Sequence, residues 1–260
     1  MKRTLLAAGL LAMLIVPLEA EHLPEIPATG FEIHTHGRLF AYHGDLSGMV
    51  EYVGRFEDPD LEFRYQSLTL GGYYRVHRNV KAGAFYRLQA GAHHDDDWVV
   101  TTYPQWDWRE TSGRLEHLVL LDVTPRFLLD FLPGGNWVGS VKNRYAYNFY
   151  NAHQTLLVRP GLTWFWMVDR EPVLNVSAQY ATYLSLNFGD RFWYRHGPYL
   201  NVLYHVTPFL QIDASLARHT IYWTESREFE ARHPGETYER NTYSPWVVDV
   251  GFVVTLRTNR

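Results

Sequence analysis

The sequence predicts an all-β fold: a transmembrane, antiparallel up-and-down β-barrel of about ten strands, or twelve if a further hairpin exists. Three observations carry that expectation. Long stretches alternate apolar and polar residues with a period of two. The chain is rich in amphipathic rings, with Trp 9, Tyr 18 and Phe 14, which together make up 16% of it. Beyond the first twenty residues no apolar run approaches the ~18 residues that a membrane helix needs, so any crossing is made by strands.

The first twenty residues read as a secretory signal peptide. Lys2 and Arg3 precede an apolar run from Thr4 to Leu18, and Glu19-Ala20 leads into polar Glu21, which places cleavage after Ala20. Residues 21–46 form an N-terminal segment with three readings: a plug, an extension of the first strand, or an extra strand. Its stretch 31–43 alternates, with Phe31, Ile33, Leu39 and Ala41 against Glu32, His34, His36 and Arg38. Residues 47–260 are assigned to the barrel.

Each barrel strand is called by its rows. Val80, Ala82, Ala84, Tyr86 and Leu88 oppose Lys81, Gly83, Phe85, Arg87 and Gln89. In 153–168, Leu156, Val158, Pro160, Leu162, Trp164 and Trp166 oppose Thr155, Leu157, Arg159, Gly161 and Thr163. Residues 173–188 set Leu174, Val176, Ala178, Tyr180 and Leu184 against Asn175, Ser177, Gln179 and Ser185, over a length that suits a tilted membrane strand. The last two strands repeat the pattern: Leu210, Ile212, Ala214 and Leu216 against Gln211, Asp213, Ser215 and His219, then Trp246, Val248, Val250, Phe252, Val254 and Leu256 against Asp249, Gly251, Thr255 and Arg257. Further strands are placed near 47–57, 62–77, 113–123, 138–151 and 191–206. Short connections at 77–79, 168–172 and 206–208 alternate with long polar ones at about 94–112 and 224–243. The non-alternating stretch 124–137 is read as a longer connection with a short helix.

The final strand carries a motif. Asp249, Gly251, Val254 and Leu256 resemble the C-terminal insertion signal of bacterial outer-membrane β-barrel proteins, departing from it in that Arg257-Thr258-Asn259-Arg260 follow where an aromatic usually ends the chain. The resemblance implies an outer-membrane location, lipid and lipopolysaccharide as surroundings, and delivery by the barrel-assembly machinery. It selects no function, since one fold hosts many.

The apolar rows face outward in this reading, so the polar rows line a lumen. Those rows hold Arg55, Arg75, Lys81, Arg87, Arg114, Lys142, Arg144, Arg159, Arg195 and Arg257 against Glu51, Glu116, Asp122, Asp213 and Asp249. The lumen-lining candidates are Arg75, Arg87, Arg144, Arg159, Asn175, Gln179, Asp213 and Asp249. An excess of inward cations in a chain of net charge -4 points to a small channel for hydrophilic or anionic solutes. The same residues equally suit an internal network that closes a narrow barrel.

Other chemistry is weaker. No metal site is assigned: His93, His94, Asp95, Asp96 and Asp97 could hold a divalent cation, but their spacing matches no calcium loop and such a run on a loop is more often a solvated face, and His34 and His36 share one strand face without a third ligand at fixed spacing. For the alternative of a membrane-embedded lipid hydrolase, Asp213, Ser215 and His219 share a face. His219 stands four residues, roughly 13 Å, beyond Ser215, too far for a triad. A third alternative is a closed structural or adhesive barrel. No cofactor is called for. With no basic stripe and a pI near 6.3, no nucleic-acid partner is expected.

Overall fold

A computed structural model describes residues 30–57, 62–91, 115–188, 193–222 and 242–257. The signal-peptide region, the His93 to Asp97 cluster, Arg114 and most of the two long connections lie outside the described residues. The strands in chain order are β1 (Phe31–His43), β2 (Leu46–Glu57), β3 (Glu62–His77), β4 (Val80–Gly91), β5 (Glu116–Leu128), β6 (Trp137–Asn148), β7 (Gln154–Val168), β8 (Glu171–Ser185), β9 (Trp193–His205), β10 (Leu210–Arg218), β11 (Thr220–Tyr222), β12 (Thr242–Tyr243) and β13 (Trp246–Arg257). No helix occurs among the described residues.

Consecutive strands from β1 to β9 pair antiparallel, β10 and β11 both pair with β9, and β13 pairs with β10. The wall closes where β1 lies beside β13, in register from Phe31↔Trp246 to Tyr42↔Arg257. β10 and β11 occupy one wall position, interrupted at His219, and β12 with β13 occupy another, so the closed wall has eleven positions. Eleven is one more than the ten counted from sequence, because residues 31–43 join the wall as β1. An up-and-down wall of odd number brings its first and last strands together pointing the same way, which is why the β1–β13 pairing alone is parallel.

Gly251 permits that seam. It stands opposite His36, and a Cβ there would lie 2.2 Å from the His36 carbonyl oxygen and 2.5 Å from its Cδ2. Any other side chain would push the two strands apart.

One end of the barrel carries tight turns. Between β7 and β8, Asp169 and Arg170 have φ of 50° and 67°, the two left-handed positions of a type I′ hairpin turn. The opposite end carries the long connections. The stretch read as a connection with a short helix is a correction: β5 continues through Pro125 to Leu128, and only 129–136 turn. Pro125 is tolerated because the β5–β6 ladder has a gap there, between Val123↔Asn143 and Arg126↔Ser140. The Asn143 side chain donates to the Val123 carbonyl at 3.3 Å beside the gap.

The outer wall is apolar. Val50, Leu70, Leu121, Val123, Leu200, Ile212, Leu216, Val250 and Phe252 are each at least 40% exposed, on faces that no other element covers. Within the wall the cluster of Met49, Phe85, Leu118 and Leu120, with Phe40, Tyr73 and Ala146 against it, fills one side of the interior. Tyr73 and Phe85 meet edge to face at 4.7 Å, and Gly83 makes room for both, since a Cβ there would lie 2.6 Å from Tyr73 and 2.7 Å from Phe85.

Candidate functional site

The interior beside this apolar cluster is a cavity of about 460 Å³. The strand pleat decides which side chains reach it, because alternate residues of each strand point inward. Six of the eight lumen candidates line it: Arg87, Arg144, Arg159, Gln179, Asp213 and Asp249. The other two lie elsewhere. Arg75 stands at the turn end, 61% exposed and 3.5 Å from Asp45, and Asn175 contacts His205 at 3.1 Å.

Two charged walls face each other across this space. On β10, β13, β1 and β2, His36 places Nδ1 2.6 Å from Asp249 and Nε2 3.3 Å from Asp213. Arg38 donates through Nε to Glu51 at 2.7 Å and reaches Asp213 at 3.5 Å, while Asn201 also donates to Asp213. Glu51, Asp213 and Asp249 on this wall therefore each have a cationic or imidazole partner. Such preorganised pairs fix side-chain positions, although buried pairs add little net stability.

The wall formed by β4 to β7 is different. Asp122, with a fully buried side chain, accepts two bonds from Arg144, at 2.6 Å from Nε and 2.8 Å from Nη2, and one from the Tyr73 hydroxyl at 3.2 Å. Lys142 Nζ lies 3.6 Å from the same carboxylate. Arg159 sits directly across from Lys142 with its guanidinium 5.1 Å from the Tyr199 ring centroid. Arg87 donates to the Thr69 hydroxyl at 3.0 Å.

Towards the end with the long connections, neutral and charged groups interlock. Gln89 joins the Tyr65 hydroxyl, at 3.0 Å, to Glu116, at 3.1 Å, and Asn148 donates to the same carboxylate at 3.0 Å. Arg55 lies over Tyr65 at 4.7 Å and Arg195 over Tyr183 at 4.9 Å. Among the described residues, seven Lys and Arg line the cavity against three Asp and Glu, so the surface offered to a solute is cationic.

The three residues considered for hydrolysis are held apart in function. Asp213 belongs to the His36 and Arg38 network, whereas His219 Nδ1 is 3.2 Å from Arg195 Nε. His34 contacts Glu32 at 2.9 Å and His36 contacts the aspartates, so the two imidazoles serve different partners. No group of three or more metal-ligating side chains occurs among the described residues. Of the motif residues, Asp249 reaches the lumen and Gly251 the seam, while Val254 and Leu256 point outward with the apolar rows.

Sequence reasoning missed the His36–Asp249 pair, because it depends on which strands close the wall, and the Arg38–Glu51 pair, because it needs residues 31–43 to be placed in the wall as the hairpin partner of β2. The apolar cluster had a visible signal in Met49, Phe85, Leu118 and Leu120, apolar residues within the polar rows. No known family model matches the chain, and no curated protein matches it significantly.

Proposed function

We propose that the protein is a narrow channel of a bacterial outer membrane that passes small hydrophilic solutes with a preference for anions. The observation that carries this reading is the cation-lined cavity enclosed by a wall whose outer face is apolar. An uncovered hydrophobic surface running around a barrel suits lipid rather than water. Strands β1 to β9 and β13, of twelve to sixteen residues, exceed the ~9–11 needed to cross the hydrocarbon. In this reading the first twenty residues export the chain, the assembly machinery inserts it, and lipid with lipopolysaccharide surrounds it.

A second reading, a closed structural barrel, is favoured by the Met49, Phe85, Leu118 and Leu120 cluster, which narrows the interior. Planar-bilayer recording of the refolded chain from residue 21 separates the two. Discrete current steps with anion preference, weakened when Arg87 and Arg159 are both replaced by serine, support the channel. An inserted but electrically silent barrel supports the closed structure and turns attention to the long connections.

A further inference from the structure

We infer that the lumen holds a saturable binding site for a small oxyanion, a carboxylate or a phosphate, built on Lys142 and Arg159 and floored by Tyr199. The site deepens the channel reading and rests on it, in that a solute must be able to enter the lumen.

The argument begins with the β6–β7 register. Lys142 and Arg159 are direct cross-strand partners on the inward face. Like charges directly opposite each other on a sheet destabilise it, so this pair asks for a counter-charge. Among the described residues that counter-charge is scarce. Asp122 is the one carboxylate within ion-pair distance of Lys142, at 3.6 Å, and Arg144 and Tyr73 already occupy it. Among the described residues Arg159 has no carboxylate within ion-pair distance, and its Nε is buried without a hydrogen-bond partner. Three cations, Lys142, Arg144 and Arg159, thus share one carboxylate on this stretch of wall.

An oxyanion resolves the arrangement. A guanidinium presents its donors in a planar fork that matches the two oxygens of a carboxylate or phosphate, and a neighbouring ammonium supplies a point charge. The Tyr199 ring beneath Arg159 holds the guanidinium plane without consuming its donors. The facing wall argues against a zwitterion or a cation as the ligand. Asp213 and Asp249 are already engaged by His36, and Asp213 also by Arg38 and Asn201, which leaves no carboxylate there asking for an ammonium.

The test measures thermal unfolding of the detergent-folded barrel in a chloride buffer of constant ionic strength, titrated with sodium phosphate or with sodium succinate. Wild-type protein is expected to show a saturable rise in Tm with at least one of the two, and the arm that saturates at lower concentration identifies phosphate or carboxylate. Arg159→Gln and Lys142→Gln should each raise the half-saturating concentration at least tenfold. Each should also leave the ligand-free Tm equal to or above wild type, because the like-charge contact is relieved. Arg170→Gln, in the β7–β8 turn, is the charge control and should titrate as wild type does.

A non-saturating rise shared by all four proteins, or no rise in any, overturns the site even if the barrel conducts. Saturable binding lost in the two lumen variants upholds the site even if the barrel is electrically silent, in which case only the channel reading fails. A variant whose ligand-free Tm falls well below wild type contradicts the repulsion argument and counts against the site.

Discussion

Removal of the Asp122 carboxylate should be the most damaging single polar change in the barrel. Its side chain is fully buried, and it neutralises Arg144 and Lys142, whose side chains are 16% and 23% exposed. Asp122→Ala leaves two cations beside an apolar cluster without their ion-pair partner. Breaking a buried pair by deleting one partner costs about 3–5 kcal/mol. The partial exposure of both cations to the lumen places this case near the lower bound, at about 3 kcal/mol. With a urea dependence of roughly 1–3 kcal/mol per molar, the midpoint should fall by roughly 1–3 M. Tryptophan fluorescence of the barrel in lipid vesicles reads the transition, provided that folding and unfolding curves coincide. The double change Asp122→Leu with Arg144→Met replaces the closest-bonded pair with apolar volume and should recover part of the loss, Lys142 remaining without its carboxylate. A midpoint shift below about 0.3 M for Asp122→Ala, or a double variant less stable than the single one, would refute this account of the wall.

Three further outcomes follow from packing and exposure. Gly251→Ala should prevent the β1–β13 seam from closing, at a cost above about 3 kcal/mol, because its Cβ would lie 2.2 Å from the His36 carbonyl oxygen; loss of the heat-modifiable folded band on a denaturing gel reads it. Leu120→Ala empties part of the interior cluster, where Leu120 is 1% exposed, and should cost about 2–4 kcal/mol in a urea unfolding curve; under the proposed channel reading it should also raise single-channel conductance. Val250→Arg puts a charge on the outer wall at a position 45% exposed; it should cost about 2–4 kcal/mol if that face meets the bilayer core, and close to nothing if the face meets water, as unfolding in vesicles will show.

The strands were legible where their two faces differ. In β8, β10 and β13 the alternation assigned inside and outside residue by residue, because one face carries aliphatic rows and the other amides, hydroxyls and carboxylates. β5 was harder. Leu118, Leu120, Leu121 and Val123 make both faces apolar, so only Glu116 and Asp122 marked the inward side, and Pro125 concealed the continuation to Leu128. Strand β1 alternates as clearly as the others, yet its place in the wall was left open. A parallel closing pair has no turn and hence no local sequence sign. The site divides along the same line. Arg87, Arg144 and Arg159 are found from their own strands, whereas Asp213 and Asp249, the partners that His36 and Arg38 find on β10 and β13, lie up to 213 residues away and become neighbours only through closure.

The odd number of wall positions also fixes sidedness. β1 enters the wall beside the long connections, where the Gly30 carbonyl accepts from Trp246 N at 3.0 Å, and β13 leaves it at Arg257 among the tight turns. A wall with an even number of strands returns its two ends to the same rim; this one brings Phe31 and Arg257 to opposite rims of the barrel. The entry to β1 and the exit from β13 are therefore separated by the full height of the barrel, and no short linker can join Gly30 to Arg257 without running its length.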